Sequence, residues 1–372
     1  MNTSLIHEVA IGLIPGVGCQ TTKQLISYCG SAQKVFNTPK GRLLKIPGIG
    51  EVVADAIVRQ TILPKAEAEI TWALKNNVEI LFYTHPDYPE RLRHFSDSPP
   101  LLFLDGNTNL NTSKTIGIVG TRQATTYGKE ITERIIEEIK SYQPTIISGL
   151  AYGIDIHAHK TALSAKLPTV AVMASGVDIV YPSVHKETAY KMKENGGLLT
   201  EYRPGTKPDP SFFPARNRIV AGLCDAIIVI EAAFKGGALI TAEIANSYSR
   251  EVFAVPGNLG SKYNEGCNHL IKTHKAHIYT SVKDLEYILN WDIEKKEKII
   301  PRHKISETLE GDERTIAEML VGKDSMFIDE LSWKTNISIN KLSSVLLTME
   351  FNGLISALPG KKFRLAPVFV TE

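Results

Sequence analysis

The chain has 372 residues, 43% hydrophobic and 22% charged, with a formal net charge of +2; this fits a folded protein of two or three domains and argues neither for nor against a nucleic-acid partner. Four widely separated cysteines without a CxxC pair predict neither a disulfide framework nor a metal site. Short apolar runs, and no basic segment before the first of them, predict a cytoplasmic protein with no membrane partner.

The first predicted domain, residues 1–68, is basic and contains an internal repeat. The sequence LIPGVG at 13–18 recurs as KIPGIG at 45–50, and helical apolar spacing follows each copy. Two glycines per copy let the chain turn sharply into the next helix with its amides exposed. The segment resembles a paired helix-hairpin-helix domain, which implies DNA backbone contacts at Gly16, Gly18, Gly48 and Gly50. A hairpin kept for packing or for protein contacts stays open as the alternative.

Residues 69–290 form the second predicted domain and have an α/β pattern. From residue 115 onward, short β-branched runs alternate with helical segments, as is typical of a doubly wound parallel sheet covered on both faces. The predicted strands are 115–119, 145–147, 169–173, 197–200, 226–230, 252–255 and 277–279. In such a sheet we expect the ligand outside the carboxyl ends of the strands.

Residues suited to an anion follow three of these strands. Glycine turns offer backbone amides, and Arg122 and Lys235 add positive charge, so together they favour a phosphate. The predicted binding residues are Gly120, Thr121, Arg122, Gly149, Lys235, Gly236, Gly237 and Thr241. A G-x-G-x-x-G fingerprint after the first strand and a P-loop are both absent from the sequence, so no cofactor is expected. No nucleophile motif is visible either, and no catalytic residue is assigned.

The segment FFPARNR at 212–218 follows the Pro/Gly-rich run 203–210 and reads as a helix start. A helix N-terminus suits an anion, arginine offers forked donors to phosphate, and phenylalanine offers a face for a base. The segment therefore favours a site for a nucleotide or for single-stranded nucleic acid. The alternative is a helix start packed by its phenylalanines, with solvated arginines.

Six motifs occur together in the order found in one family. They are GIVGTR at 117–122, SGLAYGID at 148–155, FPARNRIVAG at 213–222, GALITA at 237–242, VPG at 255–257 and GCNHLI at 266–271. With these motifs the chain resembles the DNA-processing protein A (DprA, also called Smf) family. The resemblance implies an extended Rossmann-like core that binds single-stranded DNA, forms a homodimer and helps to load the RecA recombinase during natural transformation.

Carried over by position, the resemblance implies that DNA is contacted by Arg122, Arg216, Asn217 and Arg218, with Lys207 and Lys235 as additions. Phe213 joins the predicted DNA-binding residues because its ring offers a stacking face. Arg216 and Arg218 are two residues apart and point to opposite sides of a regular helix, so one of them is expected to brace the fold; we favour Arg216 as the ligand. The chain departs from many relatives by having Gly236-Gly237-Ala238 in place of Ser-Gly-Ser. The predicted dimer surface lies within 265–290, with apolar residues Leu270, Ile271, Ile278, Tyr279, Leu285 and Ile288.

The last segment, residues 306–372, resembles a winged-helix domain, and 291–305 is its predicted linker. Helical apolar spacing at 326–334 and 338–349 precedes a two-stranded wing at 352–365. The segment has seven basic and ten acidic side chains, and its predicted recognition helix carries only Lys341. Phosphate attraction dominates DNA affinity, so a role in protein contact is favoured.

Two other functions stay open from the residues. The turn at 236–241 followed by Glu243 resembles weakly the phosphate loop of nucleotide phosphoribohydrolases, which would make the chain an enzyme; a recombination adaptor that binds no DNA is the third interpretation. His157 and His159 near Asp155 could suggest a metal, but residues two apart on a helix do not share a face, and Asp155 suits a helix cap.

Overall fold

The computed structural model describes residues 3–291, 298–299, 309–321, 323, 325–358, 360–366 and 369–370. Its internal contacts divide the chain into two units, Met1–Trp291 and Asp292–Glu372, and each is described by itself. The predicted boundary after residue 68 falls inside a helix, and the N-terminal helices belong to the same unit as the sheet. The predicted linker 291–305 lies almost wholly outside the described residues.

Six helices precede the sheet: α1 (Thr3–Ile11), α2 (Cys19–Cys29), α3 (Ala32–Phe36), α4 (Lys40–Leu43), α5 (Glu51–Arg59) and α6 (Leu63–Lys75). Both sequence repeats form the same turn. Gly16 and Gly48 have φ values of 80° and 78°, a backbone region open to glycine. Gly18 and Gly50 then cap α2 and α5, so the predicted sharp turns into helices are confirmed.

A nine-stranded sheet follows, made of β1 (Glu79–Phe82), β2 (Leu101–Asn107), β3 (Thr115–Val119), β4 (Thr145–Ser148), β5 (Thr169–Val172), β6 (Gly196–Thr200), β7 (Ala226–Val229), β8 (Glu251–Ala254) and β9 (His277–Ile278). The strand order is β1-β2-β6-β5-β4-β3-β7-β8-β9. Strands β3 to β9 pair in parallel, as predicted. The antiparallel strands β1 and β2 extend the sheet beyond the prediction.

Helices cover both faces of this sheet: α7 (Glu90–Arg93), α8 (Thr126–Ile139), α9 (Ile154–Ser164), α10 (Lys186–Met192), α11 (Phe212–Leu223), α12 (Gly237–Ser247), α13 (Glu265–Lys272) and α14 (Val282–Leu289). Successive residues of one strand enter different hydrophobic clusters, as Ile146 and Ile147 show. Because side chains alternate along a strand, this burial on both faces defines a doubly wound sheet. The predicted α/β fold is confirmed.

The second unit contains α15 (Gly311–Leu320), β11 (Met326–Phe327), α16 (Ile328–Thr335), α17 (Ile339–Phe351), β12 (Ile355–Leu358) and β13 (Lys362–Leu365), with β10 (Lys298–Ile299) paired to β14 (Phe369–Val370). The predicted wing is the antiparallel pair β12–β13. Residues 326–327, predicted as helical, instead pair with the wing as β11. Within the described residues, no helix has the length and apolar character that a membrane crossing requires.

Candidate nucleic-acid interface

A cavity of about 490 Å³ opens at the carboxyl ends of the parallel strands, between the turns after β3, β4 and β7 and the start of α11. We call it the first cavity. Predicted DNA-binding residues that line it are Gly120, Thr121, Arg122, Gly149, Phe213, Arg216, Asn217, Gly236, Gly237 and Thr241. The predicted Lys207, Arg218 and Lys235 are outside its lining. The sheet therefore brings together in space residues that are up to 121 positions apart in sequence.

Arg122 is the exposed cation of the first cavity. The turn that carries it is fixed to the sheet, since the Thr121 amide donates to the Glu231 carbonyl at 2.7 Å. The Arg122 guanidinium lies 5.5 Å from the centre of the Phe213 ring, which is within range of a cation–π contact. Arg122 forms no ion pair or hydrogen bond with any described residue, so its donors face solvent.

Arg216 lies in the wall of the same cavity but is only 4% exposed. Its Nη1 donates to the Gly149 carbonyl at 2.6 Å and also to the Val172 carbonyl. Its Nε has no hydrogen-bond partner in the described chain. Gly149 is required here, because a Cβ on Gly149 would overlap the guanidinium. Arg216 thus ties the turn after β4 to strand β5 and keeps one buried donor unused.

Buried titratable groups surround Arg216. Burial raises the pKa of Asp155, and the charge of Arg216 opposes that shift; the Asp155 carboxylate also accepts from the Gly149 amide at 3.2 Å. Burial, helped by the nearby charges of Arg216 and His185, lowers the pKa of His159 to about 3. His159 is therefore neutral at physiological pH, with Nδ1 against the Thr169 hydroxyl at 2.7 Å.

The predicted helix start at 212 is confirmed as α11, with Phe212 stacked on Tyr202 at 4.2 Å. Arg218 lies on the side of α11 opposite to Arg216, as the two-residue spacing predicts. It pairs with Glu201 at 2.6 Å and lies 3.9 Å from the Cys19 thiol of α2. Burial lowers the pKa of Arg218, but the nearby Glu201 charge raises it, and the net shift of the pKa is upward. Both arginines brace the fold, although only Arg216 reaches the first cavity.

The turn after β7 also lines the first cavity. Gly236 caps α12, and Gly237 is exposed at the first turn of this 11-residue helix. The helix therefore presents its N-terminal amides and the positive end of its dipole at the cavity rim. Glu243, the residue of the alternative enzymatic interpretation, lies outside the cavity lining and pairs with Lys275 on the surface at 3.2 Å.

Two buried carboxylates near the candidate site have structural roles that the sequence did not predict. The sequence favours Asp155 as a helix cap, whereas the structure buries its carboxylate against the Gly149 amide, where its charge raises the pKa of Arg216 against the effect of burial. Glu231, 1% exposed, accepts from the Thr125 amide and hydroxyl at 3.0 and 2.5 Å and fixes the start of α8. Its position directly after β7, among apolar residues, was the available signal. No cluster able to hold a metal ion occurs among the described residues.

Comparison with known proteins identifies the family. The family described as DNA recombination-mediator protein A matches residues 79–290, and the DprA winged helix domain matches 301–361. The chain is 40% identical to DNA processing protein DprA of Streptococcus pneumoniae over 53% of this chain and 70% of that protein. It is 31% identical to Protein Smf of Escherichia coli over 80% of each chain. The chain belongs to the DprA/Smf family.

Solved structures agree with this assignment. The structure of DprA from Streptococcus pneumoniae superposes with a TM-score of 0.62 at 30% identity, covering 76% of this chain and 97% of that one. DNA processing protein A from Helicobacter pylori, described for its single-stranded DNA binding mode, gives a TM-score of 0.52 at 28% identity, over 57% and 95%. The resemblance inferred from the six motifs is confirmed.

Proposed function

We propose that this protein binds single-stranded DNA through the first cavity, without strong sequence preference, and acts in DNA processing during natural transformation. The observation that carries the proposal is the cavity lining itself. Motif residues from four separate segments meet there, with an exposed arginine, an aromatic ring and a helix N-terminus on one rim. The Helicobacter pylori relative, a DNA processing protein A described for its single-stranded DNA binding, supports the same ligand.

The chemistry of the lining favours the DNA backbone over base edges. Arg122 offers forked donors to a phosphate, and the amides at Gly236 and Gly237 offer neutral ones. Phe213 gives a base a face on which to stack. Among the lining residues, Asn217 and Gln123 carry the amides that suit adenine, and the exposed Arg122 suits either guanine or a phosphate; this small set favours backbone contacts over sequence-specific recognition. Lys207 and Lys235, both exposed, extend the basic surface outside the cavity.

The finer parts of the function are proposed on the family resemblance: the protein forms a homodimer and helps to load RecA. Part of the predicted dimer surface is occupied within the chain, because Leu270, Tyr279 and Leu285 are at most 4% exposed in its own core. The exposed apolar residues of this region are Ile278, on edge strand β9, and Tyr287. We place the dimer contact on these two residues. A monomeric mass in light scattering at micromolar protein would contradict it.

The N-terminal helices and the second unit have proposed roles of their own. Gly16, Gly18, Gly48 and Gly50 are all exposed, so their turns are open to a DNA phosphate. In the second unit, Trp333, Leu347 and Phe351 are exposed at 81%, 59% and 89%. Exposed apolar side chains on the acidic segment 306–372 favour a protein partner over DNA.

One titration tests the central proposal. Labelled oligo-dT and a duplex of equal length are titrated with the protein at several salt concentrations. We expect tighter binding of the single strand and a steep loss of affinity with salt, because bound cations are released. Equal affinity for the duplex, or binding that does not change with salt, would contradict the proposal. Incubation with AMP in parallel tests the enzymatic alternative, for which released adenine is the positive result.

A further inference from the structure

A second cavity, of about 470 Å³, opens at the same edge of the sheet. It is formed by the loop after β4 and by the segment that follows β5, and these two strands are neighbours. Its lining is Tyr152, Asp178, Ile179, Val180, Tyr181, Pro182, Ser183 and Lys186. The two tyrosines are each 50% exposed. Large half-exposed rings around a concave surface are unusual unless the surface binds something.

A row of aromatic rings connects the two cavities. The Phe213 ring lies below the Arg122 guanidinium at 5.5 Å, in the lining of the first cavity. The Phe213 ring also lies 5.8 Å from the Tyr181 ring, and Tyr181 lines the second cavity. A strand whose phosphate is held by Arg122 can therefore continue along Phe213 to Tyr181 without leaving the aromatic surface.

The backbone that displays Tyr152 is held in a strained conformation. Leu150, 1% exposed, has a φ of 58°, and Gly153 has a φ of 78°. A bulky residue rarely adopts this left-handed region, and such strain is concentrated at functional sites. His185 holds the loop, with its Nδ1 2.9 Å from the Leu150 carbonyl and its ring edge-on to Tyr152 at 5.1 Å. The loop thus fixes the Tyr152 ring at the mouth of the second cavity.

The second cavity has few charged side chains, and this suits a stacked base better than several phosphates in a row. Lys186 is exposed and forms no ion pair with any described residue. Asp178 is the opposing charge, but both of its oxygens accept from the Gly205 amide, at 3.0 and 2.9 Å. One free cation beside two aromatic faces matches one nucleotide, with its base stacked and its phosphate at Lys186.

We propose that the second cavity is a base-stacking subsite, in which Tyr152 and Tyr181 hold a nucleobase of the DNA strand bound in the first cavity, and Lys186 holds its phosphate. This inference rests on the proposed single-stranded DNA binding. Binding in this subsite would require a base but no particular base sequence, because every nucleobase has a flat face that can stack on a tyrosine ring.

The test is a pair of DNA ligands combined with three variants. The first ligand is a labelled oligo-dT of about 16 nucleotides, long enough to span more than one subsite; the second has the same length and phosphates but abasic sugars. Tyr152→Ala should weaken oligo-dT binding by about 5- to 150-fold, the range for loss of one stacked base. It should leave binding of the abasic strand unchanged. Tyr152→Phe should bind both ligands like the unchanged protein.

Tyr181→Leu is the second stacking variant, since leucine keeps apolar contact with Phe213 while removing the ring. We expect the same selective loss for oligo-dT. Tyr28→Ala is the matched control, because Tyr28 is 61% exposed near the end of α2 and lies outside the linings of both cavities. This substitution should leave the affinity for both DNA ligands unchanged. Circular dichroism melting confirms that each variant is folded.

The outcomes separate this inference from the proposed function. If both tyrosine variants bind oligo-dT like the unchanged protein while Arg122→Ala binds it weakly, the subsite is wrong and the DNA-binding function stands. An equal loss for the abasic strand also overturns the subsite, because stacking cannot be its cause. If the unchanged protein binds no single-stranded DNA, the proposed function itself fails.

Discussion

Two arginines of the first cavity differ in what surrounds them, and this difference separates binding from folding. Arg122 is exposed against Phe213, whereas Arg216 is buried and donates to the Gly149 and Val172 carbonyls. Both belong to motifs that were predicted to contact DNA. Sequence could place them at one edge of the sheet because residues after parallel strands meet there. It could not show which side chain would be covered, since that depends on the glycines and loops packed above it.

Substitution of the exposed Arg122 should change the affinity for DNA and leave the stability of the fold unchanged. Arg122→Ala is expected to weaken oligo-dT binding by about 5- to 150-fold, the range for one charge-assisted hydrogen bond, and to make the salt dependence shallower. Its melting temperature should stay close to that of the unchanged protein. Arg122→Lys should recover part of the affinity, since the planar fork is lost. Arg134→Ala, an exposed arginine outside the first cavity, is the control; loss of stability in Arg122→Ala would assign Arg122 to the fold.

Arg216 should act first on stability. Arg216→Met removes the two buried hydrogen bonds that Arg216 donates to the Gly149 and Val172 carbonyls, and a hydrogen bond from a charged group is worth about 1.5–3 kcal/mol. Gly149→Ala should destabilise in the same way, because its Cβ would displace the guanidinium. Urea unfolding measures both changes. Gly237→Ala is the control, since a Cβ there meets open space; a stability of Arg216→Met equal to that of the unchanged protein would show that the brace is not needed.

His159 predicts how stability depends on pH. Its pKa is about 3 in the folded chain, against an ordinary value of 6.5, so the unfolded chain binds the extra proton between these values. The contribution of His159 to the free energy of unfolding is therefore fully present above pH 6.5 and is lost as the pH falls toward 3. His159→Gln, which keeps a polar side chain at Thr169 without titrating, should reduce this loss. Unfolding free energies measured at pH 7 and pH 5 test it, and equal pH dependence in both proteins would contradict it.

At the scale of elements, the N-terminal helices and the sheet are joined by shared packing. Their apolar residues belong to one cluster with Phe103 of β2, Ala171 of β5 and Leu198 of β6. The helical hairpins were predictable, because the glycine spacing fixes their turns. Their docking was not, since the residues that receive them lie far away in sequence. Strand β2 was missed although the apolar run 101–104 between prolines and Gly106 is a buried-strand pattern.

The polar part of this junction centres on Lys23 of α2. Its Nζ donates to the Phe95 carbonyl and to the Ser98 hydroxyl, both at 2.6 Å. Lys23→Ala removes two hydrogen bonds from a charged donor, each worth about 1.5–3 kcal/mol, although the Phe95 carbonyl still accepts from the Ser98 amide and hydroxyl. We expect a lower urea midpoint and faster hydrogen exchange in α2. Lys34→Ala, an exposed lysine of α3, should stay within about 0.5 kcal/mol of the unchanged protein; an equal loss in both variants would contradict the bridging role.

At the scale of the whole molecule, the chain divides after Trp291, and the described residues that line the two cavities belong to the first unit. The residues 306–372 have a net charge of −3 by their seven basic and ten acidic side chains. This acidic segment, which makes up most of the second unit, adds nothing to phosphate attraction. Oligo-dT binding should therefore be a property of the first unit by itself.

The fragment 1–291 should accordingly bind oligo-dT as tightly as the full chain and with the same salt slope. Its hydrophobic clusters contain residues of the first unit alone, so it should also unfold cooperatively. Its mass in light scattering should remain that of a dimer, because Ile278 and Tyr287 are retained. Fluorescence anisotropy at matched salt compares the two proteins. A loss of affinity well beyond the roughly threefold expected from small interface changes would show that the second unit contacts DNA, and would contradict its assignment to a protein partner.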